Sequence, residues 1–156
     1  MPTDDYTLQG GNRTLRGPNF AADHDAEVRE FVLTCETDNN TQTELFIDGD
    51  AGSQRIGLAA STTYYFHANC VARRTDADGE SGGYRMHGLI DTDASTVVAF
   101  AGGYTGNAQD DFEDTGGWAF NCIADDTNDA ITFHGTGENA KTIQWVCHVL
   151  IVSTTG

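Results

Sequence analysis

Four cysteines, five histidines and 24 carboxylates are the residues of this chain whose chemistry could go beyond packing. Cys35, Cys70, Cys122 and Cys147 lie far apart in the sequence. Structural zinc sites draw their thiolates from close pairs such as C-x-x-C, and this chain has none. Two disulfides would need an oxidising compartment, yet residues 1–5 (MPTDD) lack the basic and apolar regions of a secretory signal. The four thiols therefore read as small buried hydrophobes. His67, His87 and His148 could form a three-histidine metal site if their strands were neighbours. Their spacing follows no metal motif, so they read as polar residues on an outer sheet face, and His24 and His134 add nothing to the case. Residues 76–80 (DADGE) begin like a calcium loop. Counted from Asp76, however, the sixth position is Ser81 rather than Gly and the twelfth is His87 rather than Glu. That stretch and residues 125–129 (DDTND) read as Asx-rich hairpin turns.

Catalytic signatures are missing as well. The chain has no G-x-S-x-G elbow, no glycine-rich phosphate loop with a lysine and no H-E-x-x-H. Carboxylate pairs are too abundant to single out a glycosidase dyad. The expectation is a protein without enzymatic activity, cofactor or resident metal. Among the aromatics, Tyr65 and Tyr104 could stack on sugars. Tyr104 lies in a glycine-rich stretch (102–106, GGYTG) that also reads as a plain connection. The sequons at Asn12 and Asn39 matter only in a secretory pathway.

The elements that must hold these residues are strands. The 17 Asp against 7 Glu favour turns over helix interiors, and the 20 Thr and 18 Gly suit strands joined by tight turns. Period-two alternation covers nine segments: 28–36, 43–47, 54–58, 62–74, 83–91, 96–101, 117–124, 130–134 and 141–153. Their spacing suits a sandwich or barrel. Only residues 21–30 have room for a helical turn or two. The fold class expected is all-β: a jelly-roll-like antiparallel β-sandwich over residues 27–156 with an extended N-terminal arm over residues 1–26. Within the arm, Tyr6, Leu8, Arg13, Leu15, Arg16 and Phe20 are the candidate partner-binding residues. The chain's 156 residues make one domain. A formal charge of −16, with one Lys and seven Arg, argues against nucleic acid and anionic membranes as partners. No stretch approaches the ~20 apolar residues of a membrane span.

Residues 71–85 (VARRTDADGESGGYR) resemble a recurrent VARRTDADGESAGYRFEG-like hairpin in β-rich structural domains of tailed-bacteriophage virion proteins. Residues 124–131 (ADDTNDAI) resemble the ADDTNDAL turn of that family, and residues 141–146 (KTIQWV) resemble the start of its KTIRWVATV final strand. Residues 36–48 fit loosely, so the resemblance runs over roughly residues 30–152. It implies a structural or adhesive module of a capsid or tail fibre, made in the host cytoplasm and carried on the virion. The short chain, starting at Met1 without a stalk, suits a capsid decoration (cement) protein on the capsid exterior. Such a protein stabilises the major capsid protein lattice, commonly as a trimer whose arms reach neighbouring subunits. The alternative is a tail-fibre or receptor-binding module recognising host surface glycans.

Overall fold

Twelve strands and no helix make up the described residues (7–9, 12–16, 26–114 and 116–156) of the computed structural model. In chain order they are β1 (Thr7–Gln9), β2 (Asn12–Arg16), β3 (Ala26–Thr37), β4 (Gln42–Leu45), β5 (Ile56–Gly57), β6 (Thr62–Arg74), β7 (Ser81–Thr92), β8 (Val98–Ala101), β9 (Asp110–Glu113), β10 (Ala119–Asp125), β11 (Ala130–Thr136) and β12 (Ile143–Thr155). Eight of them form one antiparallel sheet in the order β1-β2-β3-β12-β6-β7-β8, with β9 also paired to β7. The other four form a smaller sheet, β10-β11-β4, with β5 on β11. The two sheets pack face to face, and the all-β sandwich read from the alternation is the fold observed.

The alternation works because each long strand has one wet and one dry face. On β12, Ile143, Trp145, Cys147, Val149 and Ile151 are all at most 1% exposed. On β6 the buried set is Tyr64, Phe66, Ala68, Cys70 and Ala72, and on β7 it is Tyr84, Met86 and Ile90. Large and small side chains alternate across the strands. Trp145 stands between Cys35 and Ala72, and Tyr84 lies opposite Cys70. The aromatic centre spans both sheets: Trp145 stacks on Tyr84 at 5.7 Å and on Phe120 at 6.4 Å, and Phe120 stacks on Phe133 at 6.1 Å. Gly135 on β11 makes room for the indole, since a Cβ there would sit 2.6 Å from the Trp145 ring. The indole Nε1 donates to Thr37 Oγ1 at 3.0 Å, so the buried polar edge is satisfied.

Two stretches depart from the sequence reading. Ala26–Glu30, part of the stretch given room for a helical turn, is extended. It pairs with β12 on one side and, from Glu27 to Glu30, with β2 on the other, and sheet pairing overrides a weak local preference. β9 (DDFE) carries no apolar alternation, because it is an edge strand held to Gly82–Arg85 by its backbone. Within the N-terminal segment, β1 and β2 form a hairpin that continues the large sheet beyond β3.

Candidate functional site

The cysteines belong to the core. All four are buried free thiols, and Cys70 and Cys147 lie directly opposite each other on β6 and β12. Burial pushes the Cys35 thiol up to about 12, with the neighbouring Cys70 and Asp50 adding to it. Burial does the same to Cys122, also to about 12, and drives Cys147 well above the ordinary thiol range. The thiolate is the form that attacks or ligates, so these groups pack rather than react.

The acidic turns use their carboxylates on their own backbone and on the few cations. Asp48 Oδ1 accepts from the Ser53 and Gln54 amides at 3.0 and 2.9 Å, which holds its carboxyl below the usual range. Asp125 Oδ1 accepts from Thr127 N at 3.1 Å and Asn128 N at 3.2 Å, as an Asx turn does. In the β6–β7 turn, the Arg74 guanidinium donates to Asp76 at 2.9 and 3.2 Å and to Glu80 at 3.2 Å. Lys141 completes this network with Glu80 at 2.8 Å and Glu138 at 2.6 Å. Arg74 is the main cause that holds the Asp76 carboxyl down to about 2. The DADGE turn is thus the hub of an ion-pair network that joins the β6–β7 hairpin to the start of β12. Among the described residues no group of three or more His, Cys, Asp or Glu side chains is arranged to hold a metal ion.

The histidines meet on the outer face of the large sheet, the side turned away from the sandwich. His67 and His87 are direct cross-strand partners with ring centroids 6.3 Å apart, and Tyr65 lies 6.2 Å from His87. His148, opposite Asn69 on the same face, has its Nε2 2.8 Å from Glu30 Oε1. Tyr65, His67, Arg85, His87, Leu150 and Val152 line an open groove of about 380 Å³. His134 stands elsewhere, within β11, where it shares a 2.9 Å hydrogen bond with Thr132. Burial holds its imidazole below the usual range.

This outer face is banded. One row across the sheet reads Val28, Val152, Tyr65, Leu89 and Ala101, and a second reads Thr34, Val146, Val71, Gly83 and Phe112. Phe112 is 73% exposed and Val71 62% exposed. Between the two rows lie His67, His87, His148, Asn69 and Arg85. Although the chain carries 24 acids, no outward position of β6 or β12, from Thr63 to Arg73 and from Gln144 to Thr154, holds one. The acids stand at the margins: Glu30 and Glu36 on β3, Asp91 on β7 and Asp110 on β9. Charge depleted at the centre and gathered at the rim, with aromatic and Arg side chains inside it, is the composition of an interaction surface. Parity within residues 62–74 and 141–153 already carried this signal. What it lacked was the knowledge that the two strands are neighbours.

The remaining predicted residues divide. Tyr104 turns inward rather than into a sugar-stacking loop, edge-on to Phe66 at 5.6 Å and to Phe100 at 5.1 Å. Its hydroxyl donates to the Asn107 carbonyl at 3.0 Å, and burial raises its pKa. Tyr65 is outward and 48% exposed. Among the arm candidates, Leu8 lies on β1 and Arg13, Leu15 and Arg16 lie on β2. Tyr6, Phe20 and His24 lie outside the described residues. Sequence reading missed Arg29. It sits on the inner side of β3, donates to the Gly57 carbonyl of the small sheet at 2.8 Å, and stacks on Phe31 at 5.6 Å and on Tyr64 at 5.5 Å. No protein-family model, curated protein or solved structure matches the chain.

Proposed function

We propose that this chain is a structural protein of a tailed-phage virion. In this reading it is a capsid decoration (cement) protein made in the host cytoplasm and bound, as a homo-oligomer, to the major capsid protein on the capsid exterior. It performs no catalytic step and needs no cofactor. The reading draws on the resemblance of residues 71–85, 124–131 and 141–146. One observation carries it: the N-terminal segment forms the edge of the large sheet. β1 pairs only with β2, and β2 pairs with β3 over just four positions, Arg13 to Arg16. Among the described residues the far side of β1 has no strand partner. An open edge on a weakly tied segment suits docking by strand addition, in which backbone hydrogen bonds supply affinity. Tyr6, Leu8, Leu15 and Phe20 are the apolar anchors of this reading, with Arg13 and Arg16 pairing to acids on the shell.

Deletion of residues 1–26 tests it. β3 keeps its long ladder with β12, so the truncated protein folds with little change in unfolding midpoint. It no longer co-sediments with capsids that lack the protein, and co-sedimentation at full strength overturns the arm reading. Copy number on the virion is a second measure: hundreds of copies support a shell location, and a few or tens support the tail.

The groove at Tyr65, His67, Arg85 and His87 favours a second reading, a module that binds host surface glycans. An exposed ring beside hydrogen-bonding side chains is suited to stacking on a sugar and bonding its hydroxyls. Glycan-array binding that disappears in Tyr65→Ala would support it.

A further inference from the structure

The outer face of the large sheet has a property that its composition alone does not reveal: it is complementary to itself. Its four long strands run in the order β3, β12, β6, β7, so the midline of the face lies between β12 and β6. We infer that two copies of this chain pair through this face, related by a two-fold axis that runs along the strands at that midline. This operation lays β12 of one copy over β6 of the other and β3 over β7. Rows are retained, so each outward residue meets the residue equally far from the midline in its own row.

The residues brought together are compatible. Val146 meets Val71, and Val152 meets Tyr65, so each apolar row covers an apolar row. In the row between them Glu30 meets His87, an acid against an imidazole. No two like charges coincide in any row, because the acids of the face stand at its margins while Arg73 and Arg85 fall opposite neutral residues. In an isologous contact a patch must complement itself, and an arbitrary sheet face does not satisfy that condition.

Size and electrostatics agree with this pairing. Four strands of about twelve residues cover about 40 Å by 19 Å, on the order of 750 Å² per copy. A stable interface needs ~800 Å² per partner, and the adjoining Phe112 extends the area. Two chains of charge −16 repel each other at most orientations. The acid-free centre of this face is where they can approach within packing distance. Aligned sheets pack with their strand directions within about 30° of each other, and a two-fold axis along the strands falls inside that range. A two-fold contact assembles copies in pairs, unlike the trimer that the resemblance implies. It also uses a different surface from the N-terminal edge proposed to dock on the shell.

Sedimentation equilibrium of the full chain across a micromolar concentration series tests this inference. The expected mass is twice the 16.8 kDa of the chain, and a mass that stays at one chain or rises to three overturns it. Val146→Asp and Val71→Lys, each alone, weaken self-association on the order of 100-fold, with far-UV circular dichroism unchanged, and the unfolding midpoint unchanged when measured below the concentration at which copies pair, because both positions are exposed. Mixed together, the two variants recover the pair, because the axis sets the carboxylate introduced on β12 of one copy against the ammonium introduced on β6 of the other. A dimer indifferent to both substitutions, or a mixture that stays monomeric, also overturns the inference. Capsid co-sedimentation by Val146→Asp separates the two proposals: a monomeric variant that still binds capsids leaves the shell reading intact.

Discussion

The two faces of β6 and β12 are built from the same two strands and obey opposite rules. Inward, Trp145, Phe66, Cys147 and Val149 are at most 1% exposed and fitted against one another. Outward, Val71, Tyr65 and Val152 are 47–62% exposed and the acids are missing. The inner face is constrained by volume, since a close-packed interior responds to single methylenes. The outer face is constrained by charge: its side chains are exposed among the described residues, yet it excludes the carboxylates that are abundant elsewhere in the chain. The contrast teaches that burial and the exclusion of charge left separate marks on alternate residues of the same segments.

Substitutions at successive positions break this contrast most strongly at its centre. Trp145→Ala removes the indole that stacks on Tyr84 and Phe120 and leaves Thr37 without its donor. It should cost about 3–5 kcal/mol in denaturant unfolding. Gly135→Ala drives a Cβ against the same indole and should cost about 1–3 kcal/mol through overpacking; the double variant with Trp145→Ala should recover part of that cost.

A third prediction sharpens the comparison at the rim. The carboxyl of Asp76 is held at about 2 in the folded chain, below its ordinary value, chiefly by Arg74. A lowered folded pKa means the ionised form supports folding. That support is fully present above the unfolded pKa and is lost as pH falls from about 4 to about 2. Carboxyl-resolved NMR should report an Asp76 midpoint of about 2, and Asp76→Asn should flatten the acid limb of the stability profile in that window. The smallest effect belongs to the outer face: Val71→Thr should change unfolding stability by no more than about 0.5 kcal/mol, measured below the concentration at which copies pair. A large loss there would mean the outer face is part of the folding core after all.

Much of the fold was legible because alternation is a local signal. The limits of β6 are those read from the period, and residues 28–36, 83–91 and 141–153 each mark a long strand to within two or three residues. β9 escaped because an edge strand held by backbone bonds needs no apolar partner on either side. Ala26 and Glu27, before the strand read over 28–36, escaped because their extended form comes from neighbours distant in sequence. Arg29 escaped for a related reason: an arginine on the inward parity of a strand is unfavourable until a carbonyl across the gap and two rings of its own sheet, Phe31 and Tyr64, receive it.

The sequence by itself determined the class of fold, the burial of the four cysteines and the role of Asp125 as a turn residue. Those properties depend on a residue and its near neighbours in the chain. Only the tertiary structure decided that β12 lies between β3 and β6, which brings His67 against His87 and lines up Val146 with Val71. Alternation tells each strand which face to bury but carries no information about which strand lies beside it. Partner choice depends on shape and volume summed over the whole core, and the banded outer face exists only once that choice is made.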